Sequence, residues 1–140
     1  MILDSIRNYI KTCPFLKNGV INANYLSEKA ESYTVDSIPC APTVKKYVDG
    51  GSIRQFVFIL ASREYYTANI LENLNVSKFY EEFQRWIESQ NAKGNLPVLK
   101  DGLSPLEITV LSSGYLAGEG EKTARYQIQC RLIYYMNRED

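Results

Sequence analysis

The hydrophobic positions along the chain follow two periods, one typical of helices and one typical of strands. Apolar residues recur every three or four positions in residues 2–12 and again in residues 77–91, which predicts two amphipathic helices. Ser77 is the expected N-cap of the second helix, and Gly94 is its expected stop signal. The apolar stripe of this helix is predicted to pack on a sheet and consists of Phe79, Phe83, Trp86 and Ile87.

Strict alternation of apolar and polar residues is clearest near the C-terminus. Every second residue from Ala124 to Met136 is apolar, which predicts one long strand with one face in the core. Its other face carries polar side chains, namely Arg125, Gln127, Gln129 and Arg131. Shorter β-rich runs predict further strands at residues 20–26, 32–38, 43–48, 53–61 and 106–111.

A hairpin is predicted where residues 43–48 and 53–61 flank the sequence DGGS. Asp-Gly and Gly-Gly tolerate the positive φ angles that tight hairpin turns require. After Gln55 the second strand is apolar on both faces. We therefore expect helices to cover one face of this strand, and another layer or another subunit to cover the opposite face.

The order of these elements predicts a single α+β domain over residues 1–140. We expect a mostly antiparallel sheet of about four to five strands, with two helices packed on one of its faces. A chain of this length holds a hydrophobic core without disulfides or metal ions.

The charge balance narrows the set of partners. There are 16 acidic and 16 basic residues, and the longest basic run is Lys45-Lys46. Sequence-specific nucleic-acid binding is not expected, because such proteins normally carry a strong positive excess or a basic stripe. We expect no membrane association, because the sequence has no polybasic patch and no apolar run long enough to span a bilayer. We also expect no secretion, because the first residues lack the pattern of a secretion signal. Three cysteines without a C-x-x-C pair favour a reducing compartment, so we expect a cytoplasmic protein.

No residue pattern predicts catalysis. The chain has no histidine, which removes His-based catalytic triads and the common zinc sites. Cys40 has no neighbouring base in sequence, and the acidic pairs fall on an expected helix surface and in an expected loop. The glycines near residues 50 and 118 lack the context of a phosphate-binding loop. We therefore expect no enzyme activity, no cofactor and no metal site.

Tyrosine is the unusual feature, with 11 in 140 residues. Tyrosine is enriched at protein interfaces, although half-buried strand positions are an alternative explanation that stays open. Residues 112–123 form a long connection, predicted to be mobile alone and to fold down on a partner. The predicted interface residues are Tyr65, Tyr66, Tyr115, Leu116, Glu119, Glu121 and Tyr135.

Three segments resemble a family of small proteins from the morphogenesis clusters of tailed phages and prophages of Gram-positive bacteria. The segments read KYVDGGSIRQF at residues 46–56, FYEEFQRWI at 79–87 and ARYQIQCRL at 124–132. The family contains minor tail and minor capsid proteins similar to phage tail terminators. The resemblance covers roughly residues 43–136.

The resemblance implies a structural protein that forms a ring, typically a hexamer, on the last ring of the tail tube. Its implied partners are copies of itself, the tail-tube protein and head–tail connector proteins. Its implied location is the host cytoplasm during assembly and then the virion tail. Two alternatives stay open: a head–tail connector or other minor virion protein, and a small protein-binding adaptor.

Overall fold

A computed structural model describes residues 2–16, 21–26, 32–65, 70–119 and 123–137. Within these ranges the chain forms two helices and seven strands. The helices are α1 (Ile2–Ile10) and α2 (Ile70–Lys93). The strands are β1 (Ile21–Ala23), β2 (Ser32–Ile38), β3 (Thr43–Lys46), β4 (Ser52–Tyr65), β5 (Leu103–Val110), β6 (Tyr115–Glu119) and β7 (Thr123–Met136).

All seven strands belong to one sheet with the order β1-β2-β4-β7-β5. The two 14-residue strands β4 and β7 form its centre and pair over their whole length, from Ser52 opposite Met136 to Tyr65 opposite Thr123. β3 extends the β2 side of β4, and β6 extends the β5 side of β7. The long central pair therefore separates two ends of the molecule, one at Met136 and one at Thr123.

The predicted fold class is wrong. Strands account for 46% of the described residues, and the sheet has seven strands rather than four or five. It is also a mixed sheet, because β1 pairs with β2 in parallel, from Ile21 opposite Tyr33 to Ala23 opposite Val35. β1 lies within the predicted strand at residues 20–26, although it is only three residues long, whereas β6 was not predicted, since five residues are too few to establish a period.

One hydrophobic cluster lies between the helices and the sheet. The side chains that point toward the helices come from every second residue of the central strands, with Phe58 opposite Cys130 and Leu60 opposite Ile128. Each of these four side chains is fully buried. The apolar faces of α1 and α2 complete the cluster with Leu3, Ile6, Tyr9, Ile10, Val76, Phe79, Tyr80, Phe83 and Ile87.

Helix α2 begins seven residues before the predicted N-cap. It starts at Ile70, so Ser77 lies inside the helix with its side chain exposed. The buried stripe extends back to Val76, three residues before Phe79, and this spacing continues the helical period. On the surface of this helix, Lys78 and Glu82 form an ion pair at 3.8 Å.

The outer edge of β5 is protected against pairing with other strands. Pro105 lies within this strand, and the register shifts between Pro105 and Glu107 because Leu106 is an extra, bulged residue. The backbone N–H of Ile108 donates to the side-chain oxygen of Asn91 in α2 at 2.9 Å. Proline, a bulge and a covered N–H all reduce the capacity of an edge strand to accept another strand.

Buried tyrosines make an alkaline unfolding transition an expected property of this core. Burial, with a smaller effect of nearby Cys13, raises the pKa of Tyr9 to about 12, and burial also raises the pKa of Tyr80 and Tyr134. An unfolded tyrosine releases its proton near pH 10, whereas the folded chain keeps it. The stabilisation is therefore complete below about pH 10 and is lost as the pH rises toward about 12.

Urea unfolding at about pH 9 and about pH 11 measures this loss as a lower midpoint at the higher pH. In a Tyr9→Phe variant the fall is expected to be smaller, because phenylalanine keeps the ring but cannot ionise. An equal fall in both proteins would show that Tyr9 does not contribute.

Candidate interaction surfaces

The sheet has a second face that no described element covers, and we call it the open face. It is formed by the alternate side chains of β4 and β7, with Val57 opposite Arg131 and Gln55 opposite Ile133. Ile59 also lies on this face and is only 5% exposed, because neighbouring side chains surround it. The expectation that β4 is apolar on both faces is confirmed, and the described part of the chain supplies helices for one face only.

A continuous set of polar contacts crosses one half of the open face. Arg125 on β7 bonds Asp36 on β2 at 2.9 Å, and this contact crosses β4, which lies between them. Asp36 also accepts a hydrogen bond from Thr34 at 2.8 Å, and Arg125 donates to Gln127 at 2.9 Å. Ala61 lies between Thr34 and Gln127 in the register, where its small side chain leaves room for the arginine. This half of the face is held in one arrangement by its own contacts.

Tyr115 continues this network onto β6. Its hydroxyl accepts hydrogen bonds from Gln127 at 2.6 Å and from Gln129 at 3.0 Å. The adjacent Leu116 makes no such contact and is 43% exposed. These two predicted interface residues therefore differ: Tyr115 holds β6 on β7, and Leu116 is available on the surface.

The other half of the open face, around Arg131, contains polar atoms that lack hydrogen-bond partners among the described residues. Arg131 Nε and Thr109 Oγ1, on directly opposed residues of β7 and β5, are buried and lack a hydrogen-bond partner among the described residues. Around them lie the apolar side chains of Val57, Ile59 and Ile133. Buried polar groups in proteins are nearly always paired, so these two atoms are an exception in this core, and the half-buried Val57 and Ile133 leave some apolar surface exposed beside them.

A groove of about 310 Å³ lies between α2 and the start of β6. Its α2 wall includes Ser77, Glu81 and Gln84, and the opposite wall includes Leu116 and Tyr126. The close approach of the two walls depends on Gly114, because a Cβ atom there would lie 2.5 Å from the Cβ of Tyr80. The groove combines apolar surface with one exposed carboxylate, that of Glu81.

The β3–β4 hairpin projects from the opposite end of the molecule. Its turn is closed by the Gly50 N–H, which donates to the Tyr47 carbonyl at 3.1 Å, and Gly50 adopts a φ of +96°. The predicted hairpin is confirmed, with its turn at Tyr47–Gly50, two positions earlier than the expected Asp49–Ser52. Val48 stands at the tip, and its side chain is as exposed as in a fully extended chain, at 109%. A valine this exposed makes no contribution to the core.

The predicted interface residues do not form one surface. Tyr65, Tyr115, Leu116 and Glu119 belong to strands that meet at the Thr123 end of the sheet. Tyr135 lies near the opposite end, where it pairs with Ile53 and Ser104 and its ring packs over Gly51.

Two predicted positions, Tyr66 and Glu121, lie outside the described residues. The prediction of an irregular connection over residues 112–123 is wrong, because Tyr115–Glu119 pairs with β7 as strand β6. The glycines of this segment and its bulge between Leu116 and Gly118 obscure the alternation of apolar and polar residues in the sequence.

Two positions on these surfaces were not predicted from the sequence. Val48 was assigned to the strand of the hairpin, although an apolar residue next to an Asp-Gly turn signal was a usable indication of an exposed tip. No local signal in the sequence indicates that Gly114 faces Tyr80.

The thiols differ in their surroundings. Burial raises the pKa of the Cys130 thiol far above its ordinary value and also raises the pKa of Cys13. Both thiols therefore stay protonated at neutral pH, the form that is a poor nucleophile. Cys40 is exposed. The described residues contain no group of three or more Cys, Asp or Glu side chains arranged to hold a metal ion.

Neither described helix has the length and apolar character needed to cross a membrane. Compared with known proteins, the chain matches no protein-family model and has no significant sequence match among curated proteins.

Proposed function

We propose that this chain is a structural subunit of phage or prophage tail assembly, similar to a tail terminator, that forms a ring on the end of the tail tube. The observation that carries the proposal is the open face of the sheet. A partner protein placed there would cover the exposed parts of the half-buried Val57 and Ile133 side chains. The sequence resemblance to tail proteins supplies the identity of the partner, namely the tail-tube protein.

The open face suits protein contact for a physical reason. Apolar side chains in its centre supply area to bury, and the adjacent network around Arg125, Asp36 and Tyr115 holds the surface in one conformation. A surface that is already ordered loses less conformational entropy when it binds. This combination of an apolar centre and a polar surround is typical of specific interfaces.

Tail assembly in vitro tests the proposal. Purified tail-tube protein is polymerised with and without the chain, and tube lengths are measured by electron microscopy. We expect the chain to stop elongation, and we expect Ile133→Glu to remove that effect, because the variant places a charge in the centre of the open face.

A matched control is Leu74→Glu, which puts the same charge on the surface of α2, where Leu74 is 58% exposed. Urea unfolding of both variants shows whether they remain folded. Tubes of equal length with and without the unmodified chain would contradict the proposed function. If a folded Ile133→Glu variant still stops tube elongation, the open face is not the surface that contacts the tail-tube protein.

A further inference from the structure

We infer that neighbouring copies of this chain join through the tip of the β3–β4 hairpin, with Val48 of one copy seated in the α2–β6 groove of the next. This inference rests on the proposed function, which supplies the ring arrangement. It assigns the surfaces between copies, whereas the open face is assigned to the tail-tube protein.

The hairpin tip is built to present Val48. The Asp49 carboxylate accepts the Gly51 N–H at 2.9 Å, which holds the turn. The Tyr47 ring contacts the Tyr135 ring, with centroids 6.3 Å apart, and the Lys45 ammonium lies 5.2 Å from the Tyr47 centroid. These contacts stiffen the hairpin around a valine that touches nothing in its own chain. An ordered, exposed apolar tip is the arrangement that binds a groove at low entropic cost.

The groove matches the tip in chemistry. Leu116 and Tyr126 offer apolar surface to Val48, and Gln84 offers hydrogen-bonding groups to the backbone of the turn. The charges are opposite in sign as well: Lys45 and Lys46 precede the tip at the end of β3, and Glu81 lines the groove. Glu81 makes no ion pair with another described residue, whereas its neighbour Glu82 is paired with Lys78. Opposite charges across an interface fix its register and favour the correct partner.

The positions of tip and groove require that the contact be made between different copies. Tyr126 in the groove and Met136 near the hairpin are ten residues apart on β7, which corresponds to about 33 Å along a strand. A hairpin cannot reach the groove of its own chain across that distance. Made reciprocally, this contact closes a two-fold dimer, whereas made in one direction it repeats from copy to copy and closes into a ring when the rotation permits; the proposed function selects the ring.

Cysteine cross-linking tests the contact. Val48→Cys and Gln84→Cys are introduced together in a Cys40→Ser background, which removes the exposed native thiol and keeps the buried Cys13 and Cys130. A disulfide needs Cα atoms within about 7 Å, so the pair can bond only between copies. Mild oxidation at high protein concentration is expected to yield a ladder of covalent multimers that ends at the ring number.

The matched control replaces Val48→Cys by Val98→Cys, since Val98 is a similarly exposed valine at 85%. A ladder no stronger than this control would overturn the inference.

A charge exchange provides the second measurement. Lys46→Glu and Glu81→Lys are each expected to weaken self-association roughly tenfold in sedimentation equilibrium, and the double variant is expected to restore it. Additive weakening in the double variant would also overturn the contact. If the cross-link forms but the chain does not limit tube length, the proposed function is wrong and the contact between copies still stands. If the chain limits tube length but the cross-link does not form, only the inferred contact between copies is wrong.

Discussion

Replacing Phe83 by alanine is expected to lower the free energy of unfolding by about 3–5 kcal/mol, the largest effect of any single substitution considered for this chain. Phe83 is fully buried in the middle of α2. Its ring stacks on Phe79 at a centroid distance of 6.4 Å and contacts Trp86 at 5.9 Å. Truncation removes the buried ring and leaves a cavity between α2 and the sheet, and both effects destabilise the folded state.

Urea unfolding followed by tryptophan fluorescence measures this effect, because the chain has a single tryptophan, Trp86, next to Phe83. The control is Arg85→Ala, an exposed position on the same helix, with an expected change within about 0.5 kcal/mol. Equal stabilities of the two variants would mean that α2 does not pack on the sheet through Phe83.

Trp86, which the sequence suggested as part of the same buried stripe, is only partly buried and lies against Tyr9 of α1. Its truncation is therefore expected to cost less than that of Phe83.

The second large effect is expected at Gly114, where alanine should destabilise the fold by about 1–3 kcal/mol through overpacking. The added methyl group would lie 2.5 Å from the Cβ and 2.6 Å from the Cγ of Tyr80. Tyr80 cannot move away, because its hydroxyl is bound to the Ser62 hydroxyl at 2.5 Å and to the Tyr126 carbonyl at 3.0 Å. The segment that leads into β6 must shift instead, which opens the α2–β6 groove.

Gly118→Ala is the matched control, since a Cβ atom at Gly118, four residues further on in β6, meets nothing within 4 Å. Thermal unfolding of the two variants compares their stabilities directly. The prediction fails if both melt at the same temperature. If Gly114→Ala melts lower and also loses the Val48–Gln84 cross-link, stability and assembly depend on the same close approach of α2 and β6.

The β5 edge of the sheet limits the ways in which copies of the chain would join in the proposed ring. The β5 edge is interrupted by Pro105 and a bulge, and Asn91 covers the Ile108 N–H. Association through strand addition at this edge is therefore disfavoured. The proposed contacts at the open face and at the hairpin tip are made by side chains, so they do not extend the sheet from one copy to the next.

The sequence by itself determined the elements whose patterns are long and regular. Helix α1, strand β2, the β3–β4 hairpin and strand β7 all lie where the hydrophobic period predicts them. In these segments the side chains that must be buried recur at the spacing of one element, so a local pattern is sufficient to identify it. The same pattern also indicated that β4 is apolar on both faces.

Only the tertiary structure decided the short and non-local features. β6 is stabilised by the strand it joins, at Ala124–Gln127, rather than by a pattern of its own, and β1 keeps only three residues of its predicted segment, paired with Tyr33–Val35. The parallel pairing of β1, the need for glycine beside Tyr80, and the separation of Tyr135 from Tyr115 all depend on which distant segments meet in space. Spacing along a chain does not encode such contacts, because the side chain that excludes a methyl group or completes a strand pair comes from elsewhere in the sequence.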